Sequence, residues 1–197
     1  MFRDTFISTM QGRFIVLVGG MGSGKSMLMK HAIAAYPDLV LPYSYTTRPR
    51  RPDAVENDHY RFVSVQEFEQ MIADGAFLEW ARFGDNYYGT LKAEVEGALA
   101  SGKVLLKEME VQGVRQTREL LPKGQFVSVF VDAGPWEVLK ERALKRAPMS
   151  DEELAKRKQR YDDERTFIDE ADVVITNYEG KQEEAKAAFS ALIEETL

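Results

Sequence analysis

Eight consecutive residues constrain this chain more than any others: Gly19-Gly20-Met21-Gly22-Ser23-Gly24-Lys25-Ser26. They fit the pattern G-x-x-x-x-G-K-[ST]. The run before them, Arg13 to Val18, is short, apolar and rich in β-formers, and predicts a buried strand. After them Met27, Leu28, Ala32, Ile33 and Ala35 fall at helical spacing until Pro37 stops the helix. Glycines allow successive backbone amides to turn inward around a phosphate, and the start of the following helix adds its dipole. Lys25 is then placed to reach terminal phosphates and Ser26 to offer a hydroxyl to Mg²⁺. Such a loop names no reaction by itself, because it serves many chemistries.

The remaining pattern extends the strand–helix rhythm. Strands are predicted at 103–106, 125–131 and 173–175, with helices at about 112–121 and 181–195. Strands alternating with helices at this spacing argue for a parallel sheet covered on both faces. Residues 42–90 break the rhythm: two prolines flank Arg50-Arg51, strands are predicted at 60–63 and 76–83, and a short helix at 66–72. A small α+β insertion is expected there. Residues 135–170 predict two highly charged helices, the second opened by the capping box Ser150-Asp151-Glu152-Glu153. Its apolar stripe is thin, which suits a loosely docked lid. The expected division is therefore a core of 1–41, 91–134 and 171–197, an insertion of 42–90 and a lid of 135–170.

Composition narrows the partners. The 197 residues carry 26 Lys+Arg against 32 Asp+Glu, a net charge of −6. That balance argues against nucleic acid or an anionic membrane as a general partner, since both need a basic footprint. The longest apolar run, Phe14 to Gly22, is about nine residues where a membrane helix needs roughly twenty. No targeting pattern is read in Met1 to Phe6, so the expected location is the cytoplasm. There are no cysteines, which removes disulfides, thiolate metal sites and cysteine nucleophiles. His31 and His59, the two histidines, make no zinc site. Monomer and homo-oligomer both remain open.

The segments Tyr43-Ser44-Tyr45-Thr46-Thr47-Arg48-Pro49-Arg50-Arg51 and Asp58-His59-Tyr60-Arg61-Phe62-Val63-Ser64 resemble the acceptor-binding region of guanylate kinases. Phe77-Leu78-Glu79-Trp80-Ala81, Asn86-Tyr87-Tyr88-Gly89-Thr90, Val111-Gln112-Gly113 and the arginines Arg142, Arg146 and Arg157 follow in the family's order. The resemblance implies a phosphate-loop α/β fold of three layers, with an inserted α+β subdomain for the monophosphate and a helical lid. It implies transfer of the γ-phosphoryl of ATP to GMP, and to dGMP, in purine nucleotide metabolism, with Mg²⁺. By position, Gly19 to Ser26 and Arg142 hold ATP. Ser44, Arg48, Arg51, Tyr60, Glu79, Tyr88, Thr90 and Glu110 hold GMP. Lys25, Arg48, Arg146 and Arg157 act in catalysis, Ser26 binds the magnesium, and Glu108 supports it from behind.

The residue chemistry points the same way. An acceptor monophosphate needs fixed cations, and arginine offers a planar, permanently charged fork. Guanine presents N1–H and N2–H₂ donors that a carboxylate accepts, whereas the adenine N1 acceptor is repelled. A site built this way rejects the wrong base by on the order of 10⁴, because mismatched polar groups stay buried and unpaired. The departures from the family pattern fall mostly on the base side. Asp53, Ala54 and Asn57 replace a Gly-Glu pair and a glycine, with Glu56 the alternative carboxylate. Glu108 and Glu110 replace aspartates, each about 1.5 Å longer. Lys107 stands where the family strand is apolar, and Gly20-Met21 replace Pro-Ser. Two other readings remain: a kinase for another monophosphate, and a guanylate-kinase-like interaction module, which tends to lose the loop lysine that is intact here.

Overall fold

Alternation within Arg13–Val18 decides the layering. Phe14, Val16 and Val18 enter one buried apolar cluster, while Ile15 and Leu17 enter a second. Successive strand residues point to opposite faces, so a strand apolar at every position must be covered on both. The computed structural model, which describes residues 12–50, 59–146 and 148–197, shows that covering in full.

In chain order the elements are β1 (Arg13–Val18), α1 (Lys25–Ala35), β2 (Ser44–Thr46), β3 (Tyr60–Phe62), α2 (Val65–Ala73), β4 (Phe77–Phe83), β5 (Asn86–Leu91) and α3 (Lys92–Ala100). Then follow β6 (Val104–Glu108), α4 (Val111–Leu120), β7 (Phe126–Asp132), α5 (Trp136–Arg146), α6 (Asp151–Arg165), β8 (Val173–Thr176) and α7 (Gln182–Glu194). The core sheet has the order β6-β1-β7-β8 and is parallel throughout. Leu28 and Ala32 of α1 and Ala185, Phe189 and Ile193 of α7 cover one face. Val95 and Leu99 of α3, Val114 of α4, Leu78 of β4 and Phe167 cover the other. Each such fully buried large side chain is worth about 1.5–3 kcal/mol of transfer free energy. The predicted α/β class with a parallel core is the observed one.

A second, mixed sheet of order β3-β2-β5-β4 occupies the stretch where the rhythm breaks. β2 and β3 are parallel, and β5 runs antiparallel to both β2 and β4. α2 packs on it through Phe68, whose ring stacks on Phe77 and Tyr87 with centroids 4.4 and 5.2 Å apart. Three elements were not anticipated from the sequence. β2 has three residues between Pro42 and Pro49, too few for a period to register. β5 contains Gly89 and Thr90, and α3 buries only Val95 and Leu99 around a central Gly97.

The helix opened by Ser150 is α6, with its capping box formed. None of its side chains is fully buried. The anchor for this region is Phe167, just past its end, which is wholly buried. No helix among the described residues is long and apolar enough to cross a membrane.

Candidate active site

The phosphate loop joins the carboxyl end of the central strand β1 to α1. Gly19, Gly22 and Gly24 all have positive φ, at 138°, 83° and 106°. A Cβ on Gly19 would lie 2.7 Å from the carbonyl oxygen of Val131, and one on Gly24 would overlap the Asn177 amide. Only glycine meets both demands, and the result is a tight loop closed by the Ser23 N–H donating to the Gly20 carbonyl at 3.0 Å. α1 begins with no side-chain cap and no acidic residue in its first turn, which leaves its positive end for an anion. Lys25 Nζ donates to the carbonyl of Gly19 and, at 3.3 Å, to that of Gly20. Ser26 Oγ donates to Glu108 Oε1 at 3.1 Å. Two hard oxygen groups from α1 and the end of β6 thus sit beside the loop.

The loop is braced from outside. Asn177, just past β8, donates through Nδ2 to the Ser23 carbonyl at 2.6 Å. Arg142 of α5 donates to the carbonyls of Gly22 and Asn177 at 3.3–3.4 Å. Arg157 of α6 lies against the Met21 sulfur. Glu164 of α6 is half-buried near Gly20, and its Oε2 is a buried atom with no hydrogen-bond partner among the described residues. Burial lifts its pKa to about 7, opposed by Lys25 and reinforced by Glu110.

Across the cavity stands the second sheet. The β4–β5 register sets Glu79 opposite Thr90, and Thr90 Oγ1 donates to Glu79 Oε1. The register shifts between Phe77 and Glu79, a bulge that sends Leu78 into the core and Glu79 toward the cavity. Glu79 is 7% exposed, and burial raises its pKa, while Thr90 and Lys107 oppose the rise. α4 approaches so closely that a Cβ on Gly113 would lie 2.6 Å from Glu79 Oε2. Gln116 of α4 holds the Trp80 backbone on both its N–H and its carbonyl, at 3.2 and 3.0 Å. The fold therefore fixes the Glu79 carboxylate from three directions.

One cavity of about 850 Å³ joins these two walls. Among the residues expected from the sequence, Met21, Gly22, Gly24, Lys25 and Ser26 line it with Glu108 beside them, Ser44, Tyr60, Glu79 and Tyr88 line the wall of the second sheet, and Glu110, Arg142 and Arg157 complete the lining. Gly19, Gly20 and Ser23 form the loop behind that lining, and Thr90 stands behind Glu79. Arg48 does not line the cavity: its guanidinium stacks on Tyr60 at 5.3 Å and Phe62 at 5.6 Å. Arg51, with Asp53, Ala54, Glu56 and Asn57, lies outside the described residues, as does the side chain of Arg146.

Sequence reasoning missed Arg160, Tyr161, Glu164 and the role of Asn177, and noted Lys107 only as an oddity. Asn177 carried a usable signal, since a polar residue directly after a core strand sits at the carboxyl edge where α/β folds bind ligands. Lys107 was visible as a charge in an apolar strand, but its partners are far away in the chain.

Fold and cavity together place the chain among the phosphate-loop α/β proteins that handle nucleotides. A family model described as guanylate kinase matches residues 11–195. The chain therefore belongs to the guanylate kinase family. It is 40% identical over 168 residues to the guanylate kinase of Nostoc sp., covering 85% of this chain and 83% of that one. It is 41% identical over 167 residues to that of Methylococcus capsulatus, covering 85% and 81%. Among solved structures, guanylate kinase from Anaplasma phagocytophilum shares the fold at a TM-score of 0.71 and 24% identity, over 93% of this chain and 85% of that chain.

Proposed function

We propose that the chain transfers the γ-phosphoryl group of ATP to GMP or dGMP, releasing ADP and GDP or dGDP. The observation that carries this is the single cavity with the phosphate loop at one end and a buried carboxylate at the other. In the reaction the bond between the γ-phosphorus and its bridging oxygen breaks, and an oxygen of the acceptor phosphate forms the new one. The protein contributes positioning and charge rather than covalent chemistry. The loop amides and Lys25 hold the ATP phosphates. Lys25 rests on loop carbonyls in this structure, within a side chain's swing of the space a phosphate would fill.

Glu79 and Glu110, with Ser44 and Thr90, take the guanine, the carboxylates accepting from the donor edge of the base. Tyr60, Tyr88, Arg48 and Arg51 take the acceptor phosphate, with Arg48 moving off its Tyr60 stack. Arg142, Arg146 and Arg157 close from residues 135–170 over the transferred group, which excludes water and suppresses hydrolysis. The remaining division follows: 42–90 carries the acceptor, and 1–41, 91–134 and 171–197 carry ATP.

Ser26 and Glu108 fit a magnesium ion, which is usually held by one or two side chains while phosphates and water complete its shell. When bound, Mg²⁺ neutralises charge building on the phosphate oxygens. A cytoplasmic location without a nucleic-acid partner accords with the acidic balance.

A coupled ADP-release assay with GMP, dGMP, AMP, CMP and UMP tests the proposal. Turnover is expected with GMP and dGMP. Turnover with AMP but not GMP would overturn the acceptor assignment. No turnover with any acceptor would overturn the enzyme reading and favour the interaction module.

A further inference from the structure

Lys107 is the most deeply buried cation beside the cavity, only 7% exposed, and the reaction proposed above gives it no work. It sits in β6 opposite Val16, two residues past the buried Leu105, and so faces the side covered by α3, α4 and β4. An ammonium has three donors. Two reach the carbonyls of Pro42, at 3.2 Å, and Tyr43, at 3.1 Å. Glu94 of α3 accepts the N–H of the same Tyr43 at 3.1 Å. A cation and an anion from the core thus grip both edges of the backbone directly before β2, the strand that begins with Ser44.

Its charge has a second target. Glu79 of β4 and Glu94 of α3 are the anions that attract Lys107, and Glu108 and Glu110 line the same cavity. Burial alone drives Glu79 toward its protonated form, and a protonated carboxyl presents a donor where the guanine edge needs an acceptor. An apolar residue at 107 would leave that drift opposed by Thr90 alone.

We propose that Lys107 is a positioning residue for the acceptor: its buried ammonium pins the Pro42–Tyr43 backbone that presents Ser44 and sets a cation beside the Glu79 carboxylate that accepts from guanine. The inference rests on the GMP reading above.

The test is steady-state kinetics of the full chain, its Lys107→Met and its Lys107→Arg variants, with GMP and ATP varied in turn at pH 7. Lys107→Met should raise the GMP KM on the order of tenfold and leave the ATP KM within twofold. Lys107→Arg, which retains a charge and donors, should recover most of the GMP affinity. A GMP KM in Lys107→Met equal to wild type would overturn the inference, as would equal rises in both KM values. If Lys107→Met does not fold, Lys107→Gln decides, since it keeps a donor but no charge, and a GMP KM equal to wild type there counts against a role for the ammonium. Absence of GMP turnover in the wild type would instead sink the function itself.

Discussion

The two ends of the cavity are built differently. The phosphate end is backbone: six residues from Gly19 to Gly24 supply the curve, and Lys25 and Ser26 follow directly. The end proposed for the base is side chains drawn from four separate segments: Ser44, Glu79, Thr90 and Glu110, with Lys107 in the same lining. Their geometry depends on a bulge in β4, on the β4–β5 register and on the bare face of Gly113. A backbone cradle grips any phosphate and is insensitive to distant change. A constellation of buried side chains discriminates between bases, because an unpaired polar group there is costly, and it is correspondingly easy to disturb.

If this contrast holds, damage at one end should leave the other untouched. The largest effect is expected at the phosphate end. Lys25→Ala should lower kcat by on the order of 10³, with the GMP KM changed no more than a few-fold. Steady-state rates at varied GMP check it, and a comparable loss of GMP affinity would break the separation.

The second effect lies at the base end. Gly113→Ala inserts a methyl into a space only 2.6 Å from Glu79 Oε2 and 2.9 Å from Met109 Cγ. The carboxylate must shift, and the GMP KM should rise by about tenfold while the ATP KM stays put. Equal rises in both constants would mean that the helix, rather than the carboxylate, had moved.

The smallest effect concerns the lid above the phosphate loop. Glu164 has a folded-state pKa raised to about 7 from the ordinary 4.5. The folded form therefore retains a proton that the unfolded chain releases, and that stabilisation is present in acid and lost as pH rises through 7. Glu164→Gln should melt with the wild type at pH 5 and about 2–4 °C above it at pH 8. Thermal unfolding at both values is the check, and an equal offset at the two pH values would contradict a charge-based cause.

The readable part of the molecule follows the same division. The phosphate loop, the core strands and the charged helix pair were legible because each is written in neighbouring residues, by glycine spacing, apolar periodicity or a capping box. β2, β5 and α3 were not, since three residues, a glycine-bearing strand and a weak stripe leave no period to detect. Within the site, Glu79 was picked out, but its hold by Thr90 and the closeness of Gly113 appear only when β5 and α4 are laid against β4. The resting place of Arg48 on the rings of Tyr60 and Phe62 was likewise not signalled by the sequence. Lys107 and Glu164 gave no functional signal, because burial of a charge is a property of what packs around it.

Local sequence alone determined that this chain makes a phosphate-binding turn between a buried strand and a helix, since glycine conformations and strand alternation act over a few residues. Resemblance in the order of short motifs carried the family. Tertiary structure alone decided which carboxylate is desolvated, which cation faces it and which backbone that cation holds. Those depend on distances between residues such as Lys107, Pro42 and Glu79, which lie far apart in the chain and meet only when the two sheets and α4 come together.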